Sequence, residues 1–243
     1  MEERVLKAFV AGATGYTGRE VVRKLVEKEI ITYAHIRPDS PKLNFWQEKF
    51  SAIGAKINAS AWEKEALRET FLKIKPDLIF CLIGTTRARM KQAKKQGKDP
   101  KQFSYMAVDY GLTALLINSA KEAQIKPKFV YLSALGVSPY SIGSYYKARW
   151  KAEQEVINSN LPYLIIRSSL IEGKDRDERR RAEELGAYLL KVVLAPAKLL
   201  GAKKLWQRYR PISNKELAEA LVELALSRDI VNRIIRAEEL KAS

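Results

Sequence analysis

Cysteine and histidine are each present only once among the 243 residues. Cys81 lies inside an apolar run, so a disulfide within the chain is excluded, and we expect a core residue in a reducing, cytoplasmic compartment. These two residues nearly exclude zinc and iron sites built from such ligands, and we predict no metal site. A serine hydrolase would need His35 as its base, and His35 lies near the end of a predicted strand, which argues against that class.

Long apolar runs and acidic residues are also scarce. No apolar run is long enough to cross a bilayer, and Met1–Arg4 lead directly into a predicted strand, so we expect no signal peptide. Acidic residues number 28 against 44 lysines and arginines, which leaves a net charge of +16. The basic residues concentrate in segments 87–101 and 174–210. They favour an acidic protein, a nucleic acid or a membrane surface as partner, although a solvated basic surface also explains them.

Apolar runs alternate with segments of helical spacing, which predicts an α/β fold with a Rossmann-like, doubly wound parallel sheet. We predict strands at Val5–Ala11, Ile31–Arg37, Ala55–Asn58, Asp77–Ile83, Phe129–Ala134, Pro162–Arg167 and Arg233–Arg236. We predict helices at Thr17–Lys28, Trp62–Ile74, Phe103–Ala123 and Ile142–Ser159, and a last one from a capping box at Ser213–Glu216 to Ser227. Pro38 and Pro41 should break regular structure, and Thr85–Gln102 should be a polar, basic loop.

A glycine-rich turn separates the first predicted strand from the first predicted helix. Strand, turn and helix N-terminus in this order form a site for a diphosphate, because residues without Cβ let the backbone approach the phosphates and the helix presents unpaired N–H groups. A tight turn without a ligand is the alternative, and the correct context on both sides favours a nucleotide. The residues expected to bind it are Gly12, Ala13, Thr14, Gly15, Tyr16, Thr17 and Gly18.

Arg37 ends the second predicted strand, where dinucleotide-binding folds carry an acidic residue for the ribose 2′-hydroxyl or an arginine for a 2′-phosphate. The planar fork of donors on an arginine favours NADP(H) over NAD, although an ordinary surface arginine is the alternative. The fourth and fifth strands should end at the same crevice. Gly84, Thr85, Thr86 and Arg87 leave the fourth strand, and Ser133 lies at the end of the fifth.

The chain resembles the atypical short-chain dehydrogenases/reductases, and among them the Tat-interacting-protein-like oxidoreductases and the NmrA-like NAD(P)-binding proteins. The resemblance covers nearly the whole length. It implies NADPH binding and, in active members, hydride transfer to a carbonyl or an activated double bond; other members are redox sensors, regulators or assembly factors. It rests on Gly12–Gly18, Cys81–Arg87, Val108–Tyr110, Ser133, the helix with Tyr145, Asp175–Arg179 and Arg210–Ile212.

The resemblance also implies a Tyr-x-x-x-Lys pair and a serine, in which the tyrosine donates a proton to the carbonyl oxygen. The matching register pairs Tyr145 with Arg149, and Ser133 lies about where the serine belongs. Arg149 keeps the positive charge and can reach ribose hydroxyls, but it cannot relay a proton as lysine can. Lys147 or Lys151 could substitute from a neighbouring face, and an ordinary Tyr145–Arg149 helix pair is the alternative.

Three functions therefore stay open. The first is an NADP-dependent reductase of a small or hydrophobic carbonyl compound. The second is a non-enzymatic NADP-binding redox sensor, scaffold or assembly factor, and the third is association of the basic segments with a nucleic acid or a membrane surface. In each case we expect residues 1–243 to form a single NAD(P)-binding domain. Residues 173–211 should form a small helical region on the substrate side, as an insertion or lid.

Overall fold

A computed structural model describes residues 4–172 and 208–241. Most of the expected substrate-side region 173–211 and of the basic segment 174–210, together with Asp175–Arg179, therefore lies outside the described residues.

Two parallel sheets are present in the described part of the chain. In chain order the strands are Lys7–Ala11 (β1), Ile31–His35 (β2), Lys56–Asn58 (β3), Leu78–Cys81 (β4), Lys128–Ala134 (β5), Tyr163–Ser168 (β6), Ile171–Glu172 (β7), Ile212–Ser213 (β8) and Arg233–Arg236 (β9). The large sheet has the order β3-β2-β1-β4-β5-β6-β9, and β7 pairs with β8. The order reverses at β1: the chain adds β2 and β3 on one side of β1 and then crosses back to add β4, β5 and β6 on the other side. The predicted doubly wound, Rossmann-like fold is confirmed.

Helices cover both faces of the large sheet. In chain order they are Tyr16–Glu27 (α1), Leu43–Ala52 (α2), Lys64–Ile74 (α3), Arg87–Lys95 (α4), Leu112–Glu122 (α5), Ser144–Ile157 (α6) and Asn214–Leu226 (α7). Two 3₁₀ turns, Pro100–Phe103 and Glu239–Lys241, and a π-helical segment, Met106–Gly111, complete the described elements. None of the described helices is long and apolar enough to cross a membrane.

The core is divided between the two faces of the sheet because successive strand residues point in opposite directions. Val10 of β1 packs into a cluster with Val22 of α1 and Leu221 of α7. Its neighbour Phe9 packs on the other face, where its ring meets Phe71 of α3 edge-on at 5.1 Å. Burial on both faces explains why these strands are continuous apolar runs rather than alternating ones.

The C-terminal elements agree with the sequence prediction. The Ser213 hydroxyl accepts a hydrogen bond from the Glu216 amide at 3.2 Å, and the Glu216 carboxylate accepts one from the Ser213 amide at 2.9 Å. This capping box starts α7 because it satisfies two amides that the helix leaves unpaired. The final strand also has the predicted bounds.

Helix α4 contradicts the predicted loop 85–102. Helix α2 was not predicted, although Pro38 and Pro41 lie outside regular structure as expected. Helix α4 lies inside the predicted loop 85–102; Thr86 caps it by accepting from the Arg89 amide at 3.1 Å, and its residues are good helix formers. Only Ala93 is buried in α4, so no apolar period marks the helix. Helix α2 follows the two prolines after β2 and buries only Trp46 and Phe50, which is too short a pattern to indicate a helix.

Candidate functional site

The Gly12–Gly18 turn requires glycine at its two ends. Gly12 has a φ of +85°, and a Cβ there would lie 2.8 Å from the carbonyl carbon of Leu82 in the neighbouring strand exit. A Cβ on Gly18 would lie 2.1 Å from the Gly12 carbonyl oxygen, which is closer than any real contact. Inside the turn, the Gly15 amide donates to the same oxygen at 2.9 Å. The backbone is therefore packed too closely for any other side chain at these two positions.

The N-terminus of α1 follows this turn directly. Gly15 is its N-cap residue, no side chain caps it, and the first turn contains no acidic residue. A helix N-terminus of this kind accepts an anion, because its amides and the helix dipole both favour negative charge. The glycines and the uncapped helix thus fit the diphosphate of a dinucleotide.

The other residues of the turn point in different directions. Ala13 and Thr17 are buried, and the Thr14 carbonyl accepts a hydrogen bond from Arg19 Nε at 3.2 Å. The Tyr16 hydroxyl donates to the Glu172 carbonyl at 3.3 Å and so links α1 to β7. The side chains of Ala13 and Thr17 are thus packed into the protein.

Arg37 lies two residues beyond β2 and is half-exposed. Its Nη1 forms an ion pair with Asp39 at 3.3 Å. Next to this segment, a pocket of about 510 Å³ is lined by residues 40–45, among them Ser40 and Lys42. An exposed ion pair of this kind contributes little to stability.

A buried carboxylate organises the end of β4. Asp109 is fully buried in the π-helical segment, where it accepts a hydrogen bond from the Thr85 amide at 3.0 Å. Its other oxygen lies 2.8 Å from Arg149 Nη2. Burial raises the pKa of Asp109, and the nearby Arg149 and the Thr85 amide counteract part of that increase. In the sequence, Asp109 stands out only through the Val108–Tyr110 resemblance, and this role was not predicted.

Arg149 is also buried, and its guanidinium joins the ends of β4 and β5. It donates to the Leu132 carbonyl at 2.6 Å, the Ile83 carbonyl at 3.2 Å and the Tyr131 hydroxyl at 3.3 Å. A Cβ on Gly84 would lie 2.6 Å from Arg149 Nη2, so that glycine makes room for the arginine. Arg149 Nε is buried and has no hydrogen-bond partner among the described residues. A lysine has only one nitrogen and could not make this set of contacts.

Ser133 donates a hydrogen bond to a second ion pair, which Glu153 forms with Arg167. Its hydroxyl donates to Glu153 Oε1 at 2.6 Å, and Glu153, which is fully buried on α6, accepts two hydrogen bonds from Arg167 at 3.0 and 2.6 Å. This network ties α6 to the ends of β5 and β6. No sequence pattern indicated it, because the three residues lie on three different elements.

Tyr145 is part of an aromatic cluster at the mouth of the crevice. Its ring lies 5.2 Å from that of Tyr105 and 5.1 Å from that of Tyr146, and Arg149 Cζ lies 5.5 Å from its centre. Its hydroxyl forms no hydrogen bond with another residue in the described ranges. The half-buried Tyr145 ring therefore lies beside the buried positive charge of Arg149.

The remaining predicted site residues lie at the rim or away from it. Thr86 caps α4, and Arg87 is exposed in the first turn of that helix. Of the two alternative lysines, Lys147 is exposed, and Lys151 Nζ lies 4.3 Å from the centre of the Tyr110 ring.

The single cysteine and the single histidine are core residues. Burial raises the pKa of Cys81 to about 11, and it lowers the pKa of His35 to about 4. His35 Nε2 lies 2.9 Å from the Ser60 carbonyl, and the ring packs between Phe9 and Trp62. At neutral pH both side chains are uncharged, and neither faces the crevice as a nucleophile or base.

Two sequence comparisons point to the same kind of protein. The model of a family described as NAD(P)H-binding matches residues 12–188, which is most of the chain. A curated relative, "Protein FMP52, mitochondrial" from Debaryomyces hansenii, is 26% identical over 221 residues, which cover 90% of this chain and 88% of the relative.

Solved structures share the fold at low sequence identity. A protein described as an NAD-dependent epimerase/dehydratase from Bacillus halodurans has a TM-score of 0.64 and 16% identity, with 97% of this chain and 98% of that chain covered. ChuY, described as an anaerobilin reductase from Escherichia coli, has a TM-score of 0.60 and 15% identity, with 94% of each chain covered. With the family match over residues 12–188, the resemblance to atypical short-chain dehydrogenases/reductases is confirmed, and the chain belongs to the NAD(P)H-binding family.

Proposed function

We propose that the protein binds NADP(H) and uses it to reduce a small or hydrophobic carbonyl compound. The observation that carries this proposal is the glycine cradle in front of the uncapped α1, where a Cβ at Gly12 or Gly18 would collide with backbone atoms. A less crowded turn could join β1 to α1 equally well, so the fold alone does not require this tight packing. The turn and the helix N-terminus match a diphosphate in shape and charge.

Arg37 supports NADP(H) rather than NAD(H) as the cofactor. It lies just beyond β2, its only ion pair among the described residues is the exposed one with Asp39, and Ser40 and Lys42 line the adjacent pocket. A 2′-phosphate there would gain charge-assisted hydrogen bonds that a ribose hydroxyl could not make. An acidic residue for the 2′-hydroxyl is missing at this position, because Asp39 follows only after Pro38.

Tyr145 is the proposed proton donor. The chemistry that NADPH supplies when bound is a hydride for the carbonyl carbon. The Tyr145 hydroxyl donates a proton to the carbonyl oxygen, which completes the alcohol, and the Arg149 guanidinium stabilises the tyrosinate that is left. Because Arg149 does not give up its own proton, Tyr145 must be reprotonated by another donor, and solvent water can reach its half-buried ring.

A second candidate, a non-enzymatic NADP-binding sensor, scaffold or assembly factor, is favoured by one specific observation. Two of the three groups expected to take part in catalysis are already held by protein partners. Glu153 holds Ser133, and Asp109, two oxygens of β5 and the Ile83 carbonyl just after β4 hold Arg149. In such a protein, NADPH would bind without turnover.

The experiment follows NADPH oxidation over a panel of aldehydes, ketones and quinones. We expect turnover with at least one hydrophobic carbonyl compound, and Tyr145→Phe should lower kcat by about a hundredfold or more, which is typical of a lost general acid. Tyr146 is adjacent to Tyr145 and more exposed, so Tyr146→Phe is the matched control and should keep the wild-type kcat. Tight NADPH binding without turnover on the whole panel would reject the reductase and leave the second candidate.

Cofactor preference is measured in the same assay. Arg37→Gln should weaken NADPH binding by about tenfold or more, the value of a charged hydrogen bond, and leave NADH binding unchanged. Asp39→Asn, which removes only the ion-pair partner of Arg37, is the control and should not weaken NADPH binding. An equal loss for both nucleotides in Arg37→Gln would contradict a contact with the 2′-phosphate.

Two further proposals rest on the sequence. We retain a single domain over residues 1–243, with residues 173–211 on the substrate side. We also retain a cytoplasmic location, which a lone, buried cysteine favours.

A further inference from the structure

Helix α4 and the loop after β5 form an exposed edge of the molecule that the proposed reaction does not use. We propose that this edge binds the surface of an anionic lipid membrane. We call it the basic edge, and it consists of two sets of side chains. The cationic set is Arg87, Lys91, Lys94 and Lys95, and the apolar set is Met106, Tyr140 and Ile142.

The cationic set lies on one face of α4. Its members are exposed, and the spacing i, i+4, i+7 and i+8 places them within about a third of the helix circumference. Ala93, on another face, is the buried contact with the protein. None of the four forms an ion pair with a residue in the described ranges. Their charges are therefore available to an external anion.

Acidic residues do not neutralise this face within the segment. Residues 87–101 contain seven lysines and arginines and one acidic residue, Asp99. The Asp99 carboxylate accepts a hydrogen bond from the Lys101 amide at 2.9 Å and caps the 3₁₀ turn Pro100–Phe103. The segment as a whole is thus a strong local excess of positive charge.

Exposed apolar side chains lie in segments at the same edge of the sheet. Tyr140 is 90% exposed and Ile142 is 89% exposed, and Met106 is 44% exposed. Helix α4 follows β4, and residues 135–143 follow β5, its parallel neighbour, so both leave the same edge of the sheet. The 3₁₀ turn and the π-helical segment connect α4 to α6, where Tyr105 and Tyr145 are in ring contact at 5.2 Å.

A lipid surface matches this combination better than RNA or an acidic protein does. Lysines and arginines attract anionic headgroups, while an exposed isoleucine and methionine gain free energy by entering the acyl boundary. Tyrosine is favoured at that boundary because its ring is apolar and its hydroxyl is polar. RNA would reward stacking on Tyr140, but it offers nothing to the aliphatic Ile142.

The experiment is co-sedimentation of the full chain with vesicles of phosphatidylcholine, with or without phosphatidylserine. We expect binding to the phosphatidylserine vesicles, and it should weaken as salt is raised. The triple variant Lys91→Glu, Lys94→Glu, Lys95→Glu should lower the partition coefficient by about tenfold or more, since each lysine near an anionic surface contributes appreciably.

The matched control has the same change in net charge at the other edge of the sheet. Lys73, Lys121 and Lys126 are exposed and lie in the segments that lead into the N-terminal ends of β4 and β5. Changing all three to glutamate should leave vesicle binding within about twofold of the wild type, because screening confines the attraction to nearby charges. An equal loss in both triple variants would overturn the proposal, since net charge alone would then explain binding.

The apolar set is tested separately. Tyr140→Ser with Ile142→Ser should also weaken binding to phosphatidylserine vesicles, by about fivefold or more. The proposal would be overturned if the wild type bound RNA but not the vesicles. It would also be overturned if the wild type bound equally well to vesicles with and without phosphatidylserine. NADPH binding by each variant, measured in parallel, should stay unchanged, so a failure of the proposed cofactor function is distinguishable from a failure of this surface.

Discussion

Arg149 occupies the position four residues after Tyr145, where the resemblance to short-chain reductases implies a lysine. Its guanidinium spans the ends of β4 and β5 and pairs with the buried Asp109. Gly84 accommodates it, and Thr85 is held by the same carboxylate. Arg149, which departs from the family pattern, therefore holds the backbone at the ends of β4 and β5.

The coupling of Asp109 and Arg149 can be measured in a double-mutant cycle. Asp109→Leu and Arg149→Met should each lower the free energy of unfolding by about 3–5 kcal/mol, because each leaves one buried charge without its partner. The double variant should lose clearly less than the sum of the two, since neither charge remains. Urea unfolding followed by circular dichroism gives the three values, and simple additivity would show that the ion pair is not the stabilising unit.

Single site residues could be predicted only where a local motif carries them. The spacing of Gly12, Gly15 and Gly18 after an apolar strand was sufficient to place the cradle. Asp109 was visible only as a polar residue on a predicted helix, because its partner Arg149 lies far along the chain. The role of Glu153 could not be predicted for the same reason, since Ser133 and Arg167 approach it only once the sheet has formed.

At the scale of elements, the predicted helices and strands agree best with the observed ones where the element is buried. The seven strands of the large sheet were predicted near their observed positions, and the central strands β1, β4, β5 and β6 were the clearest because burial makes them largely apolar runs. Helices α2 and α4 were missed because they bury only two residues and one residue, so no amphipathic period is present. The helix predicted from Phe103 begins as a π-helical segment at Met106, a distinction that apolar spacing cannot make and that places Asp109 inward.

The capping box of α7 allows a test at this scale. Ser213→Ala should lower the free energy of unfolding by about 1 kcal/mol, because the Glu216 amide loses its acceptor and the helix loses its N-cap. The control is Glu219→Gln on the same helix, which breaks an exposed ion pair with Lys24 and should cost less than about 0.5 kcal/mol. Urea unfolding compares the two. A cost for Ser213→Ala no larger than that of the control would remove the capping box as a determinant of α7.

The molecule as a whole places its chemical features at one edge. The glycine cradle, the ends of β4 and β5, the Tyr145 cluster and the basic edge all follow the carboxyl ends of parallel strands. The sequence indicated the order of elements along the chain, and the rule that parallel crossovers are right-handed supported a doubly wound sheet, but the strand order came from the structure. The position of α4 beside this crevice was not predictable, since the segment reads as a solvated basic loop.

The most direct test of the account is a calorimetric titration of NADPH into the full chain. We expect one saturable site, and Gly18→Ala should abolish binding, because its Cβ would collide with the Gly12 carbonyl oxygen and displace the cradle. Gly97→Ala is the control: Gly97 lies at positive φ in open space, so this variant should lose about 1 kcal/mol of stability and no affinity for NADPH. A folded wild-type chain that binds neither NADPH nor NADH would contradict the account.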